Sequence, residues 1–94
     1  MKSLFVVIVT YIKPIDQVDA ALKAHRAFLD KYYDERKLVC SGRQVPRVGG
    51  VLLLEVDSRQ EAEKIIQEDV FYQQKIAKYE IIEFVPSRPV EFTH

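Results

Sequence analysis

The sequence is poor in the features that usually announce a chemistry. It holds a single cysteine, Cys40, which excludes a disulfide within the chain and fits a reducing compartment. A thiol nucleophile would need a base beside it, and His25 lies on a different element. Cys40 is therefore read as a small apolar residue buried in a strand. One cysteine and two histidines, at no usual ligand spacing, offer no metal site. Charge of one sign is lacking too, because 14 basic residues balance 14 acidic ones. Without surplus positive charge to neutralise phosphates or hold an anionic bilayer, neither nucleic acid nor membrane is an expected partner. The apolar run "LFVVIV", Leu4 to Val9, falls far short of the ~20 residues that span a membrane. A signal peptide's long apolar region and small-residue cleavage site are missing as well, and the protein is read as cytoplasmic. "GG" at Gly49 and Gly50 is no phosphate loop on its own, so no cofactor is expected.

What is present is an ordinary globular composition, with 48% hydrophobic and 30% charged residues, enough for one core and no more. Residues 1–94 are read as a single domain, with 87–94 as a C-terminal tail in which Val90 and Phe92 are able to pair with an edge or a partner and His94, at the chain end, is expected to be disordered. "SLFVVIVTYI" (Ser3 to Ile12) is too continuously apolar for an edge and reads as a central strand. Pro14 and Asp16 supply helix-start chemistry, with Asp16 as the cap, and a helix follows to about Lys37. Its apolar stripe runs Val18, Ala21, Leu22, His25, Phe28 or Leu29, and Tyr32, while Lys23, Arg26, Asp30, Lys31 and Asp34 lie mainly on the other side. "KLVCSGRQV" (Lys37 to Val45) is a second strand in which Gly42 predicts a bulge or a close approach. "GVLLLEVD" (Gly50 to Asp57) is a third. "SRQE" (Ser58 to Glu61) matches a capping box and starts a second helix at about Arg59, with Ala62, Ile65 and Ile66 inward. "YEIIEFVP" (Tyr79 to Pro86) is the fourth strand.

Strand, helix, strand, strand, helix, strand is the βαββαβ order of the ferredoxin-like plait, an α+β fold with a four-stranded antiparallel sheet and both helices on one face. The strands are apolar on both sides, so the other sheet face is expected to be buried in a homodimer.

Two polar residues interrupt the inward faces. His25 sits in the first helix's stripe, and continuing the second helix's inward face leads to Asp69. Side-by-side helices bring such positions to one cavity wall. A carboxylate there would orient the imidazole, select its tautomer and stabilise its protonated form, which makes a general acid/base. Plainer roles fit the same positions: a core histidine bonded to a carbonyl or water, and Asp69 capping a short turn that runs through Gln73. On the strand beneath, Ser41 is placed to donate to a substrate oxygen or to bond locally as a strand hydroxyl, and Arg43 or Arg47 to hold an anionic group or to stand as solvated loop charges. Tyr32, Tyr33, Tyr72 and Phe71 are candidates for the cavity wall.

The segments "LFVVIVTY", "HRAFL", "LVCSGRQVPRVGGVLLLEV", "SRQEAEKII", "EDVF" and "YEIIEFVP" together resemble the YciI-like (YCII-related) family over most of the chain. The family has a histidine on the first helix, Ser-Gly on the second strand, Gly-Gly before the third, and Asp-Pro-Phe after the second helix. The resemblance implies a dimeric plait whose catalytic pair is the histidine and the aspartate of Asp-Pro-Phe, here His25 and Asp69. One branch of the family eliminates chloride from a chlorinated hydroxyhydroquinone. Val70 stands where the family has proline, so the aspartate is kept and the turn's rigidity is not. The expected function is a cofactor-independent enzyme acting on a small oxygenated or aromatic molecule by His–Asp elimination or isomerisation. The alternatives are a dimeric small-ligand-binding or structural domain, and a cofactorless monooxygenase of the related plait dimers.

Overall fold

Alternation along the first apolar run sets the architecture. The computed structural model describes residues 3–88; the expectations for Val90, Phe92 and His94 lie outside them. Leu4–Tyr11 forms β1, and its side chains Phe5, Val7 and Val9 are buried on one face. β1 is central in a four-stranded antiparallel sheet of order β2-β3-β1-β4, with β2 at Leu38–Arg43, β3 at Gly49–Glu55 and β4 at Ala77–Phe84. Helix α1 spans Ile15–Asp34, α2 spans Arg59–Ile66 and the single turn α3 spans Val70–Gln73. The expected element order is present, with α3 added after α2.

Register explains which residues meet the helices. Phe5, Val7 and Val9 pair with Leu54, Leu52 and Gly50 of β3, and with Glu83, Ile81 and Tyr79 of β4. Opposed residues share a sheet face. The core is this face together with Val18, Ala21, Phe28 and Tyr32 of α1, Ala62, Ile65 and Ile66 of α2, and Phe71 of α3. Burying each large apolar side chain contributes roughly 1.5–3 kcal/mol. The helices therefore lie on one face of the sheet.

The opposite face carries Val6, Ile8, Val51 and Leu53, half-buried, and Ile82 and Phe84, 46% and 40% exposed. Among the described residues no helix is long and apolar enough to cross a membrane.

Four local expectations need correction. α1 ends at Asp34, three residues before Lys37. Arg36 turns left-handed at φ 59°, its N–H donates to the Tyr33 carbonyl and that of Lys37 to the Tyr32 carbonyl, and this paired closure stops the helix. At the other end Pro14 is the N-cap residue and no side chain caps the helix; Asp16 lies inside the first turn, where its charge favours the helix N-terminus.

The bulge in β2 falls between Leu38 and Cys40 rather than at Gly42. One extra residue there flips the alternation. Leu38, Ser41 and Arg43 then pair with Leu54, Leu52 and Gly50 on the helix side, while Cys40 and Gly42 pair with Leu53 and Val51 on the other. This puts Cys40 on the open face, exposed, and overturns its reading as a buried residue.

Candidate functional site

The α2–α3 junction is built around Asp69. The N–H groups of Glu68 and Asp69 donate to the carbonyls of Ile65 and Ile66, which tightens the end of α2. Asp69 then caps α3, its Oδ1 accepting from the Phe71 N–H at 3.1 Å. Next to it, Glu68 is clipped to α1 by Lys31 Nζ at 2.8 Å and Tyr32 OH at 2.6 Å. Those two donors hold the Glu68 carboxyl below its ordinary range. Burial, then the Glu68 hydrogen bond, pushes the Tyr32 phenol up. The clip fixes the junction against α1, two turns along the helix from His25.

Asp69 is fully buried and its two oxygens are satisfied by three donors. Besides the Phe71 N–H, His25 Nδ1 lies 2.8 Å from Oδ1 and Tyr79 OH donates to Oδ2 at 2.6 Å. A buried carboxylate without such donors would cost several kcal/mol. Tyr79 comes from β4, on the core face opposite Val9. Burial first, and the neighbouring Asp69 charge second, push its phenol far above the usual range, so it stays a donor at all ordinary pH values.

A carboxylate only accepts, so the hydrogen of the His25–Asp69 contact is on Nδ1 and neutral His25 is the Nδ1–H tautomer. The ring is stacked on Phe71 with centroids 4.1 Å apart and planes 8° from parallel. The hydrogen bond and the stack together fix its orientation. Nε2 has no hydrogen-bond partner among the described residues, and no unpartnered side-chain nitrogen or oxygen among them is sealed from solvent. The second ring nitrogen is therefore reachable.

His25 belongs to the wall of a cavity of about 440 Å³ between α1 and the β2–β3 end of the sheet. α1 contributes Leu22, Arg26 and Leu29 beside it, the sheet contributes Val9, Tyr11, Ser41, Arg43 and Leu52, and Phe71 lies under the imidazole. Gly50 makes the hollow possible. It stands between Val9 and Arg43 on the helix-facing side, and a side chain there would fill the floor and crowd the Gly42 carbonyl at 3.1 Å.

The other candidates distribute as follows. Ser41 is on the wall, its Oγ 2.7 Å from Tyr33 OH. Arg43 is on the wall, and Arg47 is at the rim with its guanidinium 2.6 Å from Asp19 Oδ1. Tyr32, Tyr33 and Tyr72 do not line this cavity: Tyr32 is bound to Glu68, Tyr33 reaches it only through its hydroxyl contact to Ser41, and Tyr72 packs edge-on against Tyr79 in a separate hollow on the other side. Arg26, expected on the solvated side, also lines the cavity; its spacing of four from Leu22 and three from Leu29 was the available signal. Tyr79 went unrecognised because the fourth strand begins at Ala77, two residues earlier than expected, so its register against Val9 was not apparent. Among the described residues no three His, Cys, Asp or Glu side chains gather as a metal site.

In sequence, the YCII-related domain matches residues 4–85. No curated protein matches the chain. Among solved structures, the 5-chloro-2-hydroxyhydroquinone dehydrochlorinase TftG from Burkholderia phenoliruptrix AC1100, in complex with 2,5-dihydroxybenzoquinone, is similar in fold. Its TM-score is 0.75 at 18% identity, over 87% of this chain and 93% of that one.

Proposed function

The chain belongs to the YCII-related domain family, and from that premise we propose that it is a cofactor-independent enzyme in which His25 moves a proton on a small oxygenated or aromatic molecule. One observation carries the reading: the imidazole is locked at Nδ1 by a buried carboxylate while Nε2 is left reachable on a cavity wall. In the proposed step Nε2 takes a proton from a carbon or hydroxyl of the substrate. The released electron pair expels a leaving group on the neighbouring carbon, or shifts a double bond. Asp69 stabilises the imidazolium without taking the proton, and the imidazolium then returns that proton to the product or to water. Ser41, poised against Tyr33, donates to the oxygen on which charge builds, and Arg43 contributes to substrate binding.

The likeness to a dehydrochlorinase suggests the first substrate to try. Chloride release from a chlorinated hydroxyhydroquinone is to be followed with the full chain, alongside a panel of hydroxylated rings watched for isomerisation. His25→Ala and Asp69→Asn are expected to lower turnover by about 10²–10⁴-fold with circular dichroism unchanged. Wild-type turnover by a folded His25→Ala variant sinks the proposal. Saturable binding with no turnover anywhere in the panel would instead favour a ligand-binding domain.

The assembly belongs to the same proposal. The open sheet face, with Ile8, Val51 and Leu53 half-buried and Ile82 and Phe84 exposed, supports a two-fold homodimer. Light scattering at micromolar concentration is expected to give twice the chain mass for wild type and the chain mass for Ile82→Glu; a monomeric wild type contradicts it. The unpaired Cys40 suits a reducing, cytoplasmic setting.

A further inference from the structure

Charge in the cavity wall is not balanced the way it is over the whole chain. Fourteen cations meet fourteen anions in the sequence, yet the cavity presents Arg26, Arg43 and Arg47 against one carboxylate, Asp19. Asp19 is already taken by Arg47 at 2.6 Å. Asp69 is sealed behind the His25 ring and saturated by its three donors. That leaves two guanidinium groups, Arg26 on α1 and Arg43 on β2, with no hydrogen bond or ion pair among the described residues, on the two facing walls of one pocket.

Between them the lining is apolar, from Leu22, Leu29, Val9 and Leu52, with the Phe71 ring at one side. A neutral apolar ligand would bury those surfaces and leave both guanidiniums facing it unanswered. A strongly hydrated, compact anion would satisfy the guanidiniums and waste the apolar wall. Guanidinium is planar, weakly hydrated and suited to two coplanar oxygens at once.

We propose that the ligand of this pocket is a small planar carboxylate, its two oxygens held by Arg26 and Arg43 and its flat apolar body against Leu22, Leu29 and Phe71. The proposal rests on the reading of the cavity as the substrate site and narrows its substrate class. Polarity then divides along the cavity, with the carboxylate at the arginines and the reacting atom at His25 Nε2.

The test uses benzoate and its neutral isostere benzamide as probes, titrated into the full chain and followed by amide shifts at Leu22, Gly42 and Gly50. Benzoate is expected to bind at least about tenfold more tightly than benzamide, a difference of about 1.4 kcal/mol, and to weaken as salt is raised. Arg26→Gln and Arg43→Gln are each expected to lower benzoate affinity several-fold and leave benzamide unchanged, while Lys64→Gln on α2 alters neither. Both arginines are exposed, so the variants should fold; Arg26→Lys and Arg43→Lys, which keep charge and lose the planar fork, should give intermediate affinities. Equal affinity for the two probes overturns the proposal, as does no shift at the pocket amides, or unchanged benzoate affinity in both glutamine variants. His25→Ala is expected to retain benzoate binding, so loss of the acid–base reading and loss of the carboxylate site are separate outcomes.

Discussion

Tyr79→Phe removes one oxygen atom, and its effect can be worked from the geometry. The Tyr79 hydroxyl donates to Asp69 Oδ2 at 2.6 Å, and the ring packs edge-on against Tyr72 with centroids 5.8 Å apart. Phenylalanine keeps the ring contact and loses only the hydrogen bond. A bond to a charged group contributes about 1.5–3 kcal/mol, and Asp69 is left with a buried oxygen short of a donor, so the loss is placed at about 2 kcal/mol. At about 4–8 °C per kcal/mol for a domain near this size, the melting temperature falls by roughly 8–16 °C. A pH series sharpens the test. Burial and the Asp69 charge raise the folded-state pKa of Tyr79 above its unfolded value of 10.0. Its contribution is therefore complete below about pH 10 and drains away as pH rises, by about 1.4 kcal/mol per pH unit. Urea unfolding of wild type and variant, at one protein concentration, should give curves about 2 kcal/mol apart at neutral pH that meet roughly one and a half units above pH 10. Equal stability at neutral pH, or parallel curves into alkali, would refute the claim that Tyr79 holds the Asp69 carboxylate.

Three further outcomes follow from local geometry. Gly49→Ala would drive a Cβ into the Val9 carbonyl oxygen, so β1 and β3 must part; a loss above about 3 kcal/mol is expected by urea unfolding, and a change within error would contradict the close approach. Val70→Pro should raise stability by about 0.4–1 kcal/mol, because Val70 is the first residue of α3 and Asp69 before it already has φ −72° and ψ 130°, the backbone a following proline favours; destabilisation would show that the turn needs the Val70 N–H. Glu68, held below its ordinary range by Lys31 and then Tyr32, contributes stability above about its ordinary value of 4.5 that is lost as pH falls through the lower folded value. Acid unfolding should therefore be slightly shallower for Glu68→Gln; the effect is small because Lys31 and Glu68 are 53% and 47% exposed, and an identical acid limb would remove Glu68 from the clip.

Much of the fold was legible because its signals are local. The β1 run, the Ser58 capping box and the three-and-four stripe of α1 each state an element in a few residues. The strand of β2 was the hardest, because a bulge has no strong residue signature. Simple alternation from Leu38 sends Cys40 and Gly42 toward the helices, whereas the extra residue sends Ser41 and Arg43 there instead. Periodicity brought His25 and Asp69 to inward faces, and the plain role considered for Asp69 and the paired one coexist: the same carboxylate caps α3 and accepts from His25. Tyr79 and Arg26 were illegible for different reasons. Tyr79 depends on register across three strands, a long-range property, and Arg26 sits at the edge of an apolar stripe, where the charged end of a side chain is equally at home in solvent or at a cavity mouth.

The proposed chemistry needs neutral His25 to carry its hydrogen on Nδ1 and to keep a bare Nε2 toward the cavity. Nitrogen NMR of protein labelled with 15N-histidine, recorded with the ring neutral, reads this directly. A protonated Nδ1 and an unprotonated Nε2 are expected, with the assignment lost in Asp69→Asn. A neutral ring with its hydrogen on Nε2 would turn a lone pair toward the Asp69 carboxylate, leave no base facing the substrate, and contradict the account.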